Sequence, residues 1–263
     1  MYVFICENSI EGIFSGIYRA YASRYGHSNI RLTTSDVPDT YDLFCEYEEV
    51  PVDYENSRKV AETLQKRLGQ ETFADICHAI DAYETPGEQQ KSISKAEAVY
   101  KTVVLALSAK DGSRILEHLG NPYVSRVFQL CRSTYNEAHH LLGFLRFSEL
   151  ENGILFSRIH PKNQVLPFLA DHFADRLPME NFIIYDEIRK TAAIHKSGCG
   201  YILAEVPYAD EDFMNRFSER EQEYRELWLG FFHSIAIEAR KNPKLQSQNI
   251  PKRFWPDTVE LKV

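Results

Sequence analysis

The pattern of hydrophobic and polar positions changes along the chain, and it first predicts a small α/β module. Short apolar runs, YVFIC and IRLTT, are typical of buried strands, and between them apolar residues recur every three or four positions, as in an amphipathic helix. Ser9 precedes this helical pattern and predicts its N-cap, and Gly26 predicts its end. Residues 54–83 continue as two predicted helices broken near Gly69.

The rest of the chain predicts helices followed by strands. Helical periods over about 91–108, 111–119 and 122–141 precede two apolar runs, GFLRFSEL and GILFSRIHP, whose connection ENG is typical of a β-hairpin. A helix over about 162–176, three strand candidates (NFIIYDE, KTAAIHK and GYILAEVP) and a long helix over about 211–241 follow. We therefore predict an α+β fold, an antiparallel sheet of about five strands with flanking helices, preceded by the smaller α/β module.

A linker candidate and the charge distribution divide the chain at the same point. ETPGEQQ at 84–90 places Pro-Gly between two helical patterns, which strongly predicts a turn or loop between them. Residues 1–84 carry 7 Lys+Arg and 15 Asp+Glu, a net charge of −8, whereas residues 85–263 carry 23 of each and are neutral. We predict an acidic N-terminal module, 1–84, and a second domain, 85–263.

Composition excludes several classes of protein. With 44% apolar and 13% aromatic residues the chain has enough material for a core, and it has no apolar run of about 20 residues that would span a bilayer. The N-terminus lacks the basic region of a signal peptide, so we expect a cytoplasmic protein with reduced, buried cysteines. The chain has no CxxC spacing and no GxGxxG, GxxxxGK[ST] or GxSxG motif, and we expect neither a metal site nor a cofactor.

Polar residues cluster around the predicted helix that ends near position 141. His139 and His140 are adjacent, so on a helix they point about 100° apart and do not easily share one ion. His139 lies on a polar ridge that leads to Gly143, where the hairpin is predicted to begin, and to Arg146. This ridge is either a solvated helix face with a glycine cap or a surface that binds anions.

Two further groups of residues each permit two interpretations. Asp186 and Arg189 are three residues apart, and they either pair across a turn or leave Asp186 to act as a general base beside His139. The C-terminal ARKNPKLQSQNIPKRFWP combines cations with aromatic residues. It suits a nucleic-acid surface, and it equally suits a helix end followed by a tail pinned by its aromatic residues.

Long segments of the chain resemble a known bacterial family. EAHHLLGFLRFSE, IHPKNQVLPFLADHFADR, FIIYDEIR and LWLGFFHSIAIEARKNPKLQSQNIPKRFW, together with the opening YVFICENSIEGIFSGIYRAY, are similar to the family described as DNA metabolism proteins. The second part also resembles a domain of unknown function found C-terminal to uracil-DNA-glycosylase domains. The resemblance implies a radical-SAM partner that modifies or repairs DNA, and it brings no catalytic assignment.

Three hypotheses follow for the function. The first is an accessory protein of DNA repair or modification that works with the radical-SAM partner. In this hypothesis the acidic module of the present chain holds that partner, and its second domain contacts DNA. The residues predicted to contact nucleic acid or another anion are Arg146, Arg176, Arg189, Arg240, Lys252, Arg253 and Trp255. The second hypothesis is an enzyme acting on a nucleobase or phosphodiester, with His139 and Asp186 as acid and base. The third is a scaffold that binds only protein.

Overall fold

The structure, a computed structural model, describes residues 1–34, 43–85, 93–208 and 210–259. Packing divides the chain into two compact units, Met1–Asn136 and Glu137–Val263. Most of the predicted linker lies outside the described residues. The division after residue 84 concerns which part folds alone, and it stays a prediction.

The first unit is built on a parallel sheet of three strands. Their order is β2-β1-β3, with β1 at Tyr2–Cys6, β2 at Ile30–Thr34 and β3 at Glu46–Val50. The helices are α1 (Ile10–Ser23), α2 (Tyr54–Leu68), α3 (Gln70–Ile80), α4 (Lys95–Ser108) and the first part of α5 (Pro122–Phe144), with 3-10 turns at His27–Asn29 and Gly112–Glu117. Parallel strands need crossover connections, and α1 supplies the one between β1 and β2.

Most of the helix ends predicted in the first unit are correct. The Ser9 side chain caps α1 by accepting the Gly12 N–H at 3.0 Å, as predicted. Gly69, with φ of 85°, separates α2 from α3, also as predicted. The helix before Gly26 ends earlier than expected, at Ser23, because Arg24 already takes a left-handed φ of 58°.

The second unit contains a five-stranded sheet, which confirms the α+β class. The strands β4 (Ser148–Glu149), β5 (Leu155–Ile159), β6 (Phe182–Asp186), β7 (Thr191–Lys196) and β8 (Gly200–Glu205) lie side by side in chain order. The helices are α6 (Leu166–Arg176), α7 (Glu211–Met214), α8 (Glu219–Ile235) and α9 (Pro243–Asn249), with 3-10 turns at Glu238–Arg240 and Lys252–Asp257. The β5–β6 pair is parallel, which corrects the all-antiparallel prediction: α6 crosses over between them.

Two predicted boundaries in this unit were wrong. Gly143 lies inside α5, and the first hairpin strand begins only at Ser148. The long helix predicted over 211–241 is broken, because residues 215–217 turn aside to pair with the hairpin: the Arg216 carbonyl accepts the Glu151 N–H at 3.0 Å. The helix starts again where Ser218 caps α8.

The sheet of the second unit packs on both faces. One face, with Phe182, Ile184 and Ala193, contacts α6 and the fully buried Phe254 of the C-terminal turn. The other face carries a smaller cluster that includes Phe156, and α7 contributes Met214 to it. No helix in the described ranges is long and apolar enough to cross a membrane.

Candidate anion-binding site

A cavity of about 340 Å³ opens beside the smaller apolar cluster of the second unit. Three arginines from three different elements reach it: Arg158 from β5, Arg225 from α8, and Arg146 from the segment after α5. The other lining residues are Ser148, Phe156, Ser157, His160, Glu187, Met214, Asn215, Phe217 and Val259. Cavities of this size hold small organic ligands.

Arg158 reaches the cavity because side chains alternate along β5. Phe156 and Arg158 are two residues apart and therefore point to the same face of the sheet. Arg158 Nη1 lies 3.3 Å from Glu187 Oε2, and Nη2 donates to Glu211 Oε2 at 2.8 Å. Burial alone would lower the pKa of Arg158, but these two carboxylates raise it, so the guanidinium stays charged.

Glu187 connects Arg158 to the histidine of the cavity. Its Oε2 lies 2.8 Å from His160 Nε2. His160 follows β5 and Glu187 follows β6, and the parallel pairing of these strands places both strand ends at the same edge. One carboxylate thus holds both side chains at this edge of the cavity, and its charge offsets that of Arg158.

Arg225 is held by hydrogen bonds and by an aromatic ring. Its Nε donates to Glu221 Oε1 at 2.8 Å, one turn earlier on α8, and Nη2 donates to Ser148 Oγ at 2.7 Å. The guanidinium carbon lies 3.9 Å from the centroid of the Phe217 ring, a stacked cation–π contact. A guanidinium carries five N–H donors. Within the part of the chain that the structure describes, these contacts do not use Nη1, which can donate to a ligand.

Arg146 connects this cavity to a second one. Its Nη1 donates to the carbonyls of Gly143 and Leu145, at 2.9 and 3.2 Å, while the residue remains exposed. Arg146 and Arg225 also line an adjoining cavity of about 260 Å³, together with Tyr224 and Trp228 of α8. We call the two adjoining cavities the arginine cleft. It combines fixed guanidinium groups with two half-exposed aromatic rings.

Arg189 and Asp186 form a turn, which confirms the pairing interpretation. Asp186 is fully buried and accepts the N–H groups of Ile188 and Arg189 at 2.9 and 3.1 Å, and Arg189 Nη1 at 3.0 Å. Arg189 also donates to the carbonyls of Pro161 and Lys162. No hydrogen bond or ion pair joins Asp186 to the exposed His139 among the described residues, and their catalytic role stays a prediction.

Arg253 and the aromatic residues Phe254 and Trp255 of the C-terminal segment are engaged within the second unit. Arg253 Nη1 lies 2.9 Å from Oε1 of the buried Glu137, and Trp255 Nε1 donates to the Ile250 carbonyl at 2.8 Å. Lys252 is exposed, with its ammonium 5.9 Å from the Trp255 ring centroid. The tail is therefore pinned by its aromatic residues, one of the two interpretations of this segment.

Among the residues that the structure describes, Arg146 is the only predicted binding or catalytic residue that lines either cavity. Arg176 is exposed in the last turn of α6, and Arg240 is exposed in a short 3-10 turn. Sequence reasoning missed Arg158 and Arg225. The alternation in LFSRI and the spacing of four between Glu221 and Arg225 were the available signals.

The fold and the cleft define an α+β protein with an arginine-lined cavity. The chain belongs to the family described as Domain of unknown function (DUF4130), whose model matches residues 94–260, and the cleft lies within that range. A comparison with curated proteins found no match. Among solved structures the chain is similar to a DHH-domain protein described as a member of the s1p family of ribosomal proteins. That match has 11% identity and a TM-score of 0.36, and it covers 74% of this chain and 73% of that chain.

Proposed function

We propose that this protein is an accessory protein of DNA repair or modification that contacts nucleic acid through the arginine cleft. The observation that carries the proposal is the placement of Arg146 and Arg225 beside Tyr224 and Trp228. Guanidinium groups bind phosphate through their N–H donors, and aromatic rings stack on unpaired bases. A wall that offers both groups side by side suits single-stranded nucleic acid.

The resemblance to the DNA metabolism family supports the choice of partner. It implies a radical-SAM enzyme that acts on DNA, and residues 1–84, with a net charge of −8, would repel phosphate and attract a basic protein surface. In this proposal the acidic part holds the enzyme and the cleft holds the strand. Arg176, Arg240 and Lys252 are exposed and remain candidates for further phosphate contacts.

Binding to labelled single- and double-stranded DNA across a salt series tests the proposal. We expect affinity to fall with salt, and Arg146→Ala and Arg225→Ala each to weaken binding about tenfold and to lower the salt slope by about one. The matched control is Arg114→Ala, an exposed arginine of the first unit that pairs with Glu117. Thermal unfolding of each variant separates loss of binding from loss of fold.

The outcomes distinguish the three hypotheses. Equal losses in Arg114→Ala and the cleft variants would remove the cleft from the proposal. Binding only in the presence of the radical-SAM partner would make the chain an assembly factor, and no binding in either case would favour the protein-only scaffold. Turnover of a nucleobase or phosphodiester that is lost in His139→Ala would favour the enzyme.

A further inference from the structure

Three side chains able to bind a transition metal converge inside the first unit. Asp75 and His78 lie one turn apart on α3, and Cys131 faces them from α5. One ligand atom from each lies within 4.8 Å of the other two. Asp75 Oδ1 is 3.5 Å from Cys131 Sγ and 4.0 Å from His78 Nδ1. Each residue is partly buried.

The two helices that carry these ligands are fixed to each other. Ile76 and Ala79 of α3 and Val127 and Leu130 of α5 belong to the same apolar core. Thr134, one turn beyond the cysteine, donates its hydroxyl to the His78 carbonyl at 2.9 Å. The ligands therefore stand on a rigid backbone, as a preorganised metal site requires.

The distances suit tetrahedral coordination. With metal–oxygen and metal–sulfur bonds of about 2.0 and 2.3 Å, a tetrahedral angle separates oxygen from sulfur by about 3.5 Å, which is the spacing between Asp75 and Cys131. Oxygen and nitrogen would lie about 3.3 Å apart, so a side-chain rotation has to bring His78 Nδ1 closer to Asp75 Oδ1 than the present 4.0 Å.

We propose that Asp75, His78 and Cys131 bind one Zn²⁺ ion, with solvent in the fourth position. A carboxylate, an imidazole and a thiolate together are a ligand set that zinc accepts and that calcium and magnesium do not. The side chains of Asp75 and His78 are 39% and 18% exposed, which leaves a path for the ion and for the fourth ligand.

Zinc binding would change the protonation of the cysteine. Burial, and then the charge of Asp75, raise the pKa of Cys131 to about 12, so the thiol is protonated without metal. As the Zn–S bond forms, the S–H bond breaks and the proton leaves to solvent. Burial lowers the pKa of His78, which keeps its imidazole neutral and able to donate its lone pair.

The proposal is tested on the full chain after removal of metal with a chelator. Competition with a chromophoric chelator should report one Zn²⁺ per chain, and Co²⁺ should give the charge-transfer absorption of a thiolate ligand. We expect Cys131→Ser and His78→Ala each to weaken zinc binding at least tenfold. The control is Cys77→Ser, which removes a neighbouring thiol of α3 that is outside the cluster.

Three results would overturn the zinc site. They are the absence of stoichiometric zinc binding, unchanged affinity in Cys131→Ser, and equal losses in Cys131→Ser and Cys77→Ser. In any of these cases the thiol only donates a hydrogen bond to Asp75. If Cys131→Ser fails to fold, the cobalt spectrum of the unaltered chain and the nearly isosteric Asp75→Asn decide the question. The zinc measurement uses no DNA, so its outcome is independent of the proposed function.

Discussion

At the scale of single residues, one buried carboxylate organises the loop between β5 and α6. Glu137 is 2% exposed and accepts the N–H groups of Lys162 and Asn163 at 3.1 and 2.7 Å, and Arg253 Nη1 at 2.9 Å. On the other side of this loop, Arg189 donates to the carbonyls of Pro161 and Lys162. The loop is therefore held through both its donors and its acceptors.

Glu137→Ala should lower the free energy of unfolding by about 2–4 kcal/mol, because it leaves the buried Asn163 N–H, the partly buried Lys162 N–H and the Arg253 guanidinium without their acceptor. Urea unfolding of the full chain measures the change. The control is Glu151→Ala, an exposed carboxylate in the hairpin turn, with an expected effect of about 0.5 kcal/mol or less. A similar small effect for both variants would mean that Glu137 does not hold the loop.

These residue contacts show which part of the site could be predicted from the sequence. The turn formed by Asp186 and Arg189 was among the predicted alternatives, because three residues is the spacing of a local pair. The contact between Glu137 and Arg253 joins residues far apart in the sequence, and no spacing rule reaches it. The same limit applies to Arg158 and Arg225, whose convergence depends on how β5 and α8 pack.

At the scale of elements, two glycines of the second unit have opposite roles. Gly153 closes the β4–β5 hairpin with φ of 78°, where a side chain is strained. Gly143 lies near the end of α5, and a Cβ added there meets no atom within 4 Å. The first glycine is required by the turn, and the second only lowers the helix propensity.

Gly153→Ala should therefore destabilise the protein by about 1 kcal/mol, and Gly143→Ala should stabilise it by about 0.5 kcal/mol. Thermal unfolding of both variants shows whether each substitution raises or lowers the stability of the protein. Destabilisation by Gly143→Ala would show that this position needs a glycine, as the sequence interpretation of a cap had it.

The periodicity of apolar residues predicted the types of most helices and strands, and the errors arose where tertiary contacts decide the structure. The helix α6 and the five strands of the second unit were predicted as the right element types because their apolar faces repeat at the right period, although the start of the first hairpin strand was wrong. The break at residues 215–217 was missed because it arises from pairing with the hairpin and not from a local breaker. The parallel β5–β6 pair likewise depends on the path of α6.

At the scale of the whole molecule, the core of the first unit joins residues on both sides of the predicted linker. Lys101 of α4 donates to the carbonyls of His27 and Ile30, at 2.6 and 2.8 Å, and the Glu97 carboxylate accepts the Leu32 N–H at 2.9 Å. Apolar side chains of α4 belong to the same cluster as those of β1, α1 and β2. The linker thus joins two segments that share one core.

This shared core has a consequence for a chain cut within residues 86–92. We expect the two pieces of the cut chain to stay together in size-exclusion chromatography and to separate only when denatured, because Val99, Val103 and Val127 are fully buried in the common core. Each buried valine contributes about 1.5–3 kcal/mol, so exposing several consumes much of a domain stability of about 5–15 kcal/mol. The fragment 93–263 alone should therefore unfold at a lower temperature than the cut pair. A fragment as stable as the whole would instead support independent folding of 85–263, because the acidic part would then be an added module and not part of the core.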